Sequence, residues 1–164
     1  MRPERLISAA TGLHRMIVVD TNVLSELMRP RPAPQVLAWM STVGPGEAST
    51  TSVTIAEIGQ GLRRLPRGKR RALLEEAFES MLAALDREVL PFDREAAEHY
   101  ARISQQRERA GKHIDPLDCM IAAICSCRGA SLATRNERDF DGTGVEIINP
   151  WGPLSGRGSG PSSE

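Results

Sequence analysis

A short, continuous run of β-branched residues constrains the fold of this chain more than any other feature. Residues 16–20 read Met-Ile-Val-Val-Asp, with no polar residue before the final aspartate. A strand with one face in solvent alternates apolar and polar residues, whereas a strand of a parallel sheet covered on both faces is apolar throughout. The run therefore predicts a buried parallel strand that ends at Asp20 in a polar turn.

Helical and strand-like patterns alternate along the rest of the chain. Further short strands are predicted around residues 48–52, 88–92, 131–134 and 145–148. Helices are predicted over residues 22–28, 35–42, 53–65, 73–85, around 96–103 and from 115 to 129. Strands separated by helices predict an α/β fold with a mainly parallel central sheet covered on both faces.

Two of these helices have detailed sequence signals. Asp115 and Pro116 are typical of a helix start, and Gly129 is typical of a helix end. Apolar residues at helical spacing predict a buried stripe on this helix, which includes Leu117, Ile121, Ile124 and Cys125, together with Arg128. A similar stripe is predicted on the helix over 73–85, at Leu73, Leu74, Ala77, Phe78, Met81, Leu82 and Leu85.

The length of 164 residues fits one domain, predicted over residues 16–151. Residues 1–15 lack periodicity and are expected to be an N-terminal extension, and residues 152–164, rich in Gly and Ser, are expected to be a flexible tail. No apolar run reaches the length of a signal-peptide core or a membrane span. Three cysteines on an apolar helical pattern suit buried thiols in a reducing compartment, so we expect a cytoplasmic protein.

Three carboxylates are predicted to lie at one edge of the sheet. Asp20 ends the first strand, Glu57 lies in the first turns of the helix after the second strand, and Asp118 occupies the first turn of the late helix. In open parallel sheets, ligands bind beyond the carboxyl ends of the strands. Each acid taken alone is also explained as a helix cap or a solvated helix residue. Only their joint placement at strand-to-helix junctions points to a functional site.

Converging carboxylates predict a divalent cation. Two like charges about 4 Å apart repel by about 4 kcal/mol at an effective dielectric of about 20, and a cation relieves that repulsion. An all-oxygen ligand set without supporting His or Cys residues favours Mg²⁺, with Mn²⁺ as a substitute, over Zn²⁺. Such an ion activates water for attack on a phosphodiester, so the sequence points to hydrolysis of that bond.

The formal net charge is zero, so the chain has no general basic field for nucleic acid. Local charge must hold any polyanion. One basic segment, residues 63–71, contains six Lys and Arg residues around a Pro-Arg-Gly turn between two predicted helices. A solvated turn and a surface that contacts phosphate or a partner both explain it. With only 4% aromatic residues, a base-stacking platform is not expected.

Other hydrolase and phosphoryl-transfer classes fit the sequence less well. Haloacid-dehalogenase-type phosphatases place a second aspartate two residues after the first, where this chain has Asn22, and receiver domains need an acidic pair near that strand end. Of the histidines, His14 lies in the extension and His99 within a helix. His113, in the loop before Asp115, is explained as a surface residue or as a substrate contact.

Four ordered segments resemble the successive motifs of PIN-domain nucleases: IVVDTNVLSE at 17–26, SVTIAE at 52–57, DCMIAA at 118–123 and ATRNERDF at 133–140. The segments LPFD at 90–93 and NPW at 149–151 are similar to those of the FitB-like branch of VapC-type toxins. The resemblance spans residues 16–151.

This resemblance implies a three-layer α/β/α fold, Mg²⁺-dependent cleavage of RNA, homodimerisation and neutralisation by a small VapB-like antitoxin that also binds operator DNA. It implies that Asp20 and Asp118 are the principal metal ligands and that Glu57 completes the acidic site, directly or through a water. Transfer RNA is a substrate suggested at the level of the family.

One position departs from the family pattern. Many members have an acid directly after the Thr-Arg pair, where this chain has Asn136; the next acid is Asp139. Asn136 can hold a water or ligand by hydrogen bonds but adds no charge. Thr134, at the strand end, is explained equally as an orienting residue and as a β-branched strand residue. The departure leaves an alternative function open, a catalytically weak PIN-like module that binds RNA or a partner.

Overall fold

The computed structural model describes residues 15–85 and 89–154. Within those ranges, strands and helices alternate much as the sequence predicts. In chain order, the elements are β1 (Ile17–Val19), α1 (Thr21–Leu27), α2 (Pro34–Ser41), β2 (Ala48–Ser49), α3 (Ser52–Arg64), α4 (Lys69–Ala84), α5 (Arg94–Arg109), α6 (Pro116–Arg128), β3 (Ser131–Ala133), α7 (Glu137–Phe140) and β4 (Ile147–Ile148).

The four strands form one parallel sheet in the order β2-β1-β3-β4. β1 pairs with β2 through Val18 and Ser49, and with β3 through Val18 and Leu132. Because β1 has a neighbour on each edge, its backbone is hydrogen-bonded from both sides. Its three residues are at most 3% exposed, which confirms the prediction of a strand buried on both faces.

Two apolar cores lie on opposite faces of the sheet. Val18 and Leu132 point into a core built mainly by α5 and α6, whereas Ile17 and Val19 point into a core built by α1, α2, α3 and α4. The alternation of neighbouring β1 residues between the cores follows from the two-residue side-chain period of a strand. The fold is therefore the expected three-layer α/β/α arrangement with a parallel central sheet.

The end signals of α6 act as the sequence predicts. Asp115 caps the helix by accepting a hydrogen bond from the backbone N–H of Leu117 at 2.9 Å, and Pro116 is the first helical residue. Gly129 closes the helix in the left-handed conformation, with a φ of 63°, which strains any residue with a Cβ. These signals fix where α6 begins, and with it the position of Asp118.

Two residues of the predicted apolar stripes are exposed, which corrects those predictions. Leu73 is 56% exposed because its neighbour Leu74, about 100° away around α4, is the one that packs on the core. Leu117 is 42% exposed because it lies in the first turn of α6, at the open edge of the sheet. Ile121, Ile124 and the rest of that stripe are buried as predicted, apart from the partly exposed terminal Arg128.

The strand predicted over residues 88–92 is reduced to a single bridge. Residue 88 lies outside the described residues, and Leu90 makes one parallel bridge with Thr51. The Leu90 N–H donates to the carbonyl of Thr50, and its carbonyl accepts from the N–H of Ser52, both at 2.9 Å. Pro91 follows without an N–H, so the ladder cannot continue there.

The predicted N-terminal extension lies outside the described residues except for Arg15, and the predicted tail lies outside them beyond residue 154. In the part of the chain that is described, no helix is both long and apolar enough to cross a bilayer.

Candidate active site

Asp20 is the most constrained acid of the candidate site. It follows β1 directly and is only 4% exposed. Its Oδ1 accepts a hydrogen bond from the Thr21 N–H at 2.8 Å, which caps α1. Its Oδ2 accepts from Asn22 Nδ2 at 3.1 Å and from Thr134 Oγ1 at 2.7 Å. These donors hold the carboxylate in one orientation at the carboxyl edge of the sheet.

Asn22 and Thr134 join the ends of β1 and β3. Asn22 Nδ2 also donates to Thr134 Oγ1 at 3.1 Å, and Asn22 Oδ1 accepts from the Arg135 N–H at 3.1 Å. Thr134 Oγ1 accepts a further bond from the Asn136 N–H at 3.2 Å. Thr134 therefore contacts Asp20 in the way expected of an orienting residue. Asn22 has no signal of its own in the sequence beyond its place in the first motif.

We expect Thr134→Val to destabilise the protein by about 1–3 kcal/mol, because the valine leaves a buried carboxylate oxygen and a backbone N–H short of a partner. Urea unfolding measures this loss. Thr134→Ser keeps the hydroxyl and is the matched control, with stability close to that of the unaltered protein. Equal stability of the valine and serine variants would show that the hydroxyl does not hold Asp20.

Glu57 reaches the same edge from α3. Its helix begins after β2, at a cap in which Thr51 Oγ1 accepts from the Thr54 N–H at 3.0 Å. Glu57 Oε2 accepts a hydrogen bond from Thr21 Oγ1 at 2.6 Å. The side chain points away from the core face of α3 that includes Ile58, as the helical phase predicts. Because Thr21 adjoins Asp20, this bond ties Glu57 to the end of β1.

Asp118 reaches the edge by a different route from the one predicted. Its helix, α6, follows α5 and not a strand. However, α6 runs back along the sheet before β3 begins, so its first turn lies at the carboxyl end of β3. Asp118 is partly buried in that first turn. The sequence prediction of a strand-to-helix junction was thus wrong for Asp118, although its predicted placement at this edge was right.

The electrostatics show that the acids share one region. Burial raises the pKa of Asp118 to about 7, assisted by the negative charges of Asp20, Asp115, Asp139 and Glu57. Burial also raises the pKa of Asp20, against the opposing effect of its hydrogen bonds, and the charge of Asp139 adds to it. Burial likewise raises the pKa of Glu57, again with a contribution from Asp20. The three predicted acids are therefore brought together by the fold.

Two further acids, Asp115 and Asp139, belong to this region, whereas Asn136 contributes no charge to it. Asp115, the cap of α6, raises the pKa of Asp118 and Glu57 by its charge, and the sequence identified it only as a cap. Asp139, in α7, acts on Asp20 and Asp118. Asn136 is exposed just before α7, and no side-chain bond caps that helix. Of the two candidates after the Thr-Arg pair, Asn136 and Asp139, only Asp139 adds charge to the site.

A family model described as the PIN domain matches residues 17–145. The chain belongs to the PIN-domain family. The match lies within the domain predicted over residues 16–151 and includes Asp20, Glu57 and Asp118. It also includes the four segments on which the resemblance rests.

Individual PIN-domain relatives agree. The chain is 41% identical to VapC ribonuclease Y4jK of Sinorhizobium fredii, over 84% of this chain and 99% of that one. It is 28% identical to the tRNA(fMet)-specific endonuclease VapC of Shigella flexneri, over 82% of this chain and 96% of that one. A chain in the crystal structure of FitAcB from Neisseria gonorrhoeae superposes with a TM-score of 0.77, at 35% identity over 83% of this chain and 99% of that one. These relatives confirm the predicted class, a VapC-type PIN-domain ribonuclease.

The carboxylates of this PIN domain are the type of ligand that a hydrated divalent cation prefers. As the side chains stand, no three His, Cys, Asp or Glu residues in the described ranges are close enough together to enclose an ion. Mg²⁺ does not need such a cage, because it is usually held by one or two carboxylates and keeps several waters. Burial first, and then the charges of four acids, raise the pKa of Asp118, and no cation or hydrogen-bond donor among the described residues lowers it. Asp20 and Asp118 would hold the ion, with Glu57 beside them.

The pKa of Asp118 predicts how stability depends on pH in the metal-free PIN domain. Its value in the folded state, about 7, lies above the ordinary 3.8, so the folded protein holds this proton more tightly than the unfolded chain does. The contribution of Asp118 to stability therefore falls as pH rises from about 4 to about 7. We expect Mg²⁺ to offset this fall. Thermal unfolding across that pH range, with Mg²⁺ and with EDTA, measures both effects; a contribution that rises with pH would contradict the assignment.

Proposed function

We propose that this protein is a Mg²⁺-dependent endoribonuclease and the toxin of a type II VapBC-like toxin–antitoxin pair, which hydrolyses RNA phosphodiester bonds. The observation that carries the proposal is the gathering of Asp20, Glu57 and Asp118 at one edge of the sheet, where the charge of Asp20 raises the pKa of Glu57, and the charges of both raise the pKa of Asp118. Ribonuclease names among its relatives give the substrate class.

In this proposal, Asp20 and Asp118 hold the cation, and Glu57 completes the acidic site. A bound Mg²⁺ supplies activation of water and stabilisation of the charge that develops on the phosphodiester. Thr134 and Asn22 keep Asp20 oriented, and Thr21 keeps Glu57 near it. Asn136 borders the site as a neutral hydrogen-bonding group.

The direct test is cleavage of single-stranded RNA by the full chain with Mg²⁺, with excess EDTA, and after Mg²⁺ or Mn²⁺ is added back. We expect cleavage to stop with EDTA and to return with either metal. A single-turnover assay avoids the influence of slow product release. Cleavage that persists in EDTA would exclude this mechanism.

A second function, a catalytically weak module that binds RNA or a partner, is favoured by one observation. Asn136 stands where many family members carry an acid, so that position adds no charge to the site. In that case, RNA would bind and stay intact with Mg²⁺ present. Efficient metal-dependent turnover would eliminate this alternative.

The proposed partners are an RNA, a small VapB-like antitoxin and a second copy of the chain in a homodimer. The relative from Shigella flexneri is named for tRNA(fMet), which makes tRNA the first substrate to test. Acting on such RNA, the protein would work in the cytoplasm. Light scattering tests for the dimer, and a short reading frame beside the gene, with a DNA-binding start and an amphipathic end, identifies a candidate antitoxin.

An apolar groove on the α4 side offers an amphipathic antitoxin segment a place to bind. It lies between α1, α2 and α4 and is lined by Leu27, Met28, Met40, Ala77 and Met81, among others. We expect Ala77→Glu to prevent antitoxin binding without loss of RNA cleavage. Co-purification of the two proteins measures the first effect, and unchanged co-purification would place the antitoxin elsewhere.

A further inference from the structure

The turn between α3 and α4 is strongly basic and is not used by the acidic site. Residues 63–71 contain six of the 21 Lys and Arg residues of a chain whose net charge is zero, so the rest of the chain is net negative. We call residues 63–71 the basic turn. No Asp or Glu lies between Glu57 and Glu75. The basic turn is therefore a local positive surface on an otherwise acidic molecule.

Among the described residues, five of the six cations in the basic turn form no ion pair with a carboxylate. Only Arg71 pairs with a carboxylate among the described residues, with Glu75 at 2.7 Å. The other five are exposed and form no ion pair there: Arg63, Arg64, Arg67, Lys69 and Arg70. A solvated helix-to-helix turn does not need this density of unpaired charge.

The placement of these cations is also unfavourable for the helix that they begin. Lys69, Arg70 and Arg71 occupy the first turn of α4, which contains no acid, and Gly68 before them makes no side-chain cap. Cations at the positive end of a helix dipole destabilise it, whereas anions there stabilise it. A bound anion would therefore relieve a repulsion that the chain itself leaves uncompensated.

Helical phase connects the basic turn to the acidic site. Arg64 follows Glu57 by seven residues in α3, which places the two about 20° apart around the helix and about 10 Å apart along it. Gly61 lies between them on the same side, and it is exposed, with no atom within 4 Å of the position that a Cβ would take. A glycine within a helix lowers its stability. Close approach of a ligand to the helix backbone is a physical reason for a glycine at such a position.

We propose that the face of α3 from Glu57 past Gly61 to Arg64, together with the basic turn, binds the phosphate backbone of single-stranded RNA beside the scissile bond. The cations neutralise phosphates a few nucleotides away from the acids, and Gly61 lets the strand lie against the helix. This surface solves an electrostatic problem, because an acidic site in a chain of zero net charge repels RNA. The proposal rests on the proposed function, since it assigns the surface that holds the RNA substrate.

The first test measures binding of a fluorescein-labelled single-stranded RNA to full-length protein carrying Asp118→Asn, which slows cleavage enough for binding to be measured. Adding Arg64→Gln, Arg67→Gln and Arg70→Gln should weaken binding about tenfold or more at moderate salt. It should also reduce the slope of log K against log salt by about 2, since each lost contact to a single strand contributes about 0.7. The matched control removes the same number of charges, through Arg94→Gln, Arg102→Gln and Arg109→Gln on α5, in the opposite layer. Equal affinity and slope in the two sets would overturn the proposal.

A second test does not change charge. Gly61→Gln and Gly59→Gln each add a side chain where no atom lies within 4 Å of the new Cβ. The two positions lie about 160° apart around α3. We expect Gly61→Gln to reduce RNA affinity severalfold without lowering the melting temperature, and Gly59→Gln to leave affinity unchanged. Equal effects of the two substitutions would contradict the close approach at Gly61.

The outcomes separate this proposal from the proposed function. If the protein with its natural sequence neither binds nor cleaves RNA, the proposed function fails. If it cleaves RNA and the basic-turn variants bind RNA normally, only the assignment of this surface fails. Loss of antitoxin binding with normal RNA binding would also overturn it, because the basic turn would then be a protein-binding surface.

Discussion

Replacing Asp118 by asparagine will reduce RNA cleavage by about 10²–10³-fold or more, the scale on which removal of one essential electrostatic group acts. The substitution keeps the shape of the side chain but removes a charge that the cation needs. It will also make the metal-free protein more stable at pH 8. Burial and four neighbouring acids disfavour the charged form of Asp118, so the neutral asparagine relieves a repulsion.

Loss of activity together with a gain in stability is the signature of this account, because ordinary damage to the fold lowers both. Asp141→Asn is the matched control. Asp141 is exposed and pairs with Lys112, and that hydrogen bond and charge hold its pKa below the ordinary value. This control should keep full activity and gain no stability. Single-turnover cleavage and thermal unfolding in EDTA provide the two readouts, and a less stable Asp118→Asn variant would contradict the electrostatic part of the account.

Replacing Arg107 by alanine will have the largest effect on stability, about 3–5 kcal/mol out of about 5–15 kcal/mol for a typical domain, because two hydrogen bonds from a charged donor are lost. Arg107 is only 4% exposed. Its guanidinium donates to the carbonyl of His113 at 2.6 Å and to the carbonyl of Asp141. Alanine leaves both carbonyls without this donor and opens a cavity between the loop before α6 and the loop after α7.

The effect of Arg107→Ala follows from burial and not from loss of a positive charge. Arg109→Ala, two residues later at the exposed end of α5, removes the same charge and should change stability by no more than about 0.5 kcal/mol. Urea unfolding of both variants compares them directly. A difference under about 1 kcal/mol would show that Arg107 does not hold the two loops. Because the cap of α6 follows His113 closely, partial activity loss should accompany the instability.

Local signals predicted the parts of the fold that depend on neighbouring residues. The buried run before Asp20 identified the central strand, and Asp115, Pro116 and Gly129 marked both ends of α6. These signals act within one element, so the sequence contains all the information that they need. Asp20 and Glu57 lie at one edge because they follow the carboxyl ends of neighbouring parallel strands, whereas Asp118 reaches that edge on α6, which runs back along the sheet.

Features that depend on distant contacts were not predictable in this way. Asn22 and Thr134 are 112 residues apart, and their hydrogen bond exists only because β1 and β3 are neighbours. Arg107 resembles other helix-surface arginines in the sequence, yet the fold buries it against two loops. The sequence does not decide between Asn136 and Asp139 as the site residue after the Thr-Arg pair. In the fold, the charge of Asp139, in α7, acts on Asp20. Contacts between different elements of the fold, and not local sequence patterns, decide each case.

The most direct test of the central claim is anomalous diffraction from crystals of the full chain soaked in Mn²⁺ above pH 7, where Asp118 is charged. We expect a Mn²⁺ peak within coordination distance of Asp20 and Asp118, near Glu57, and no peak there in Asp118→Asn crystals. Absence of manganese from this edge of the sheet, or a peak that persists without the Asp118 carboxylate, would contradict the account.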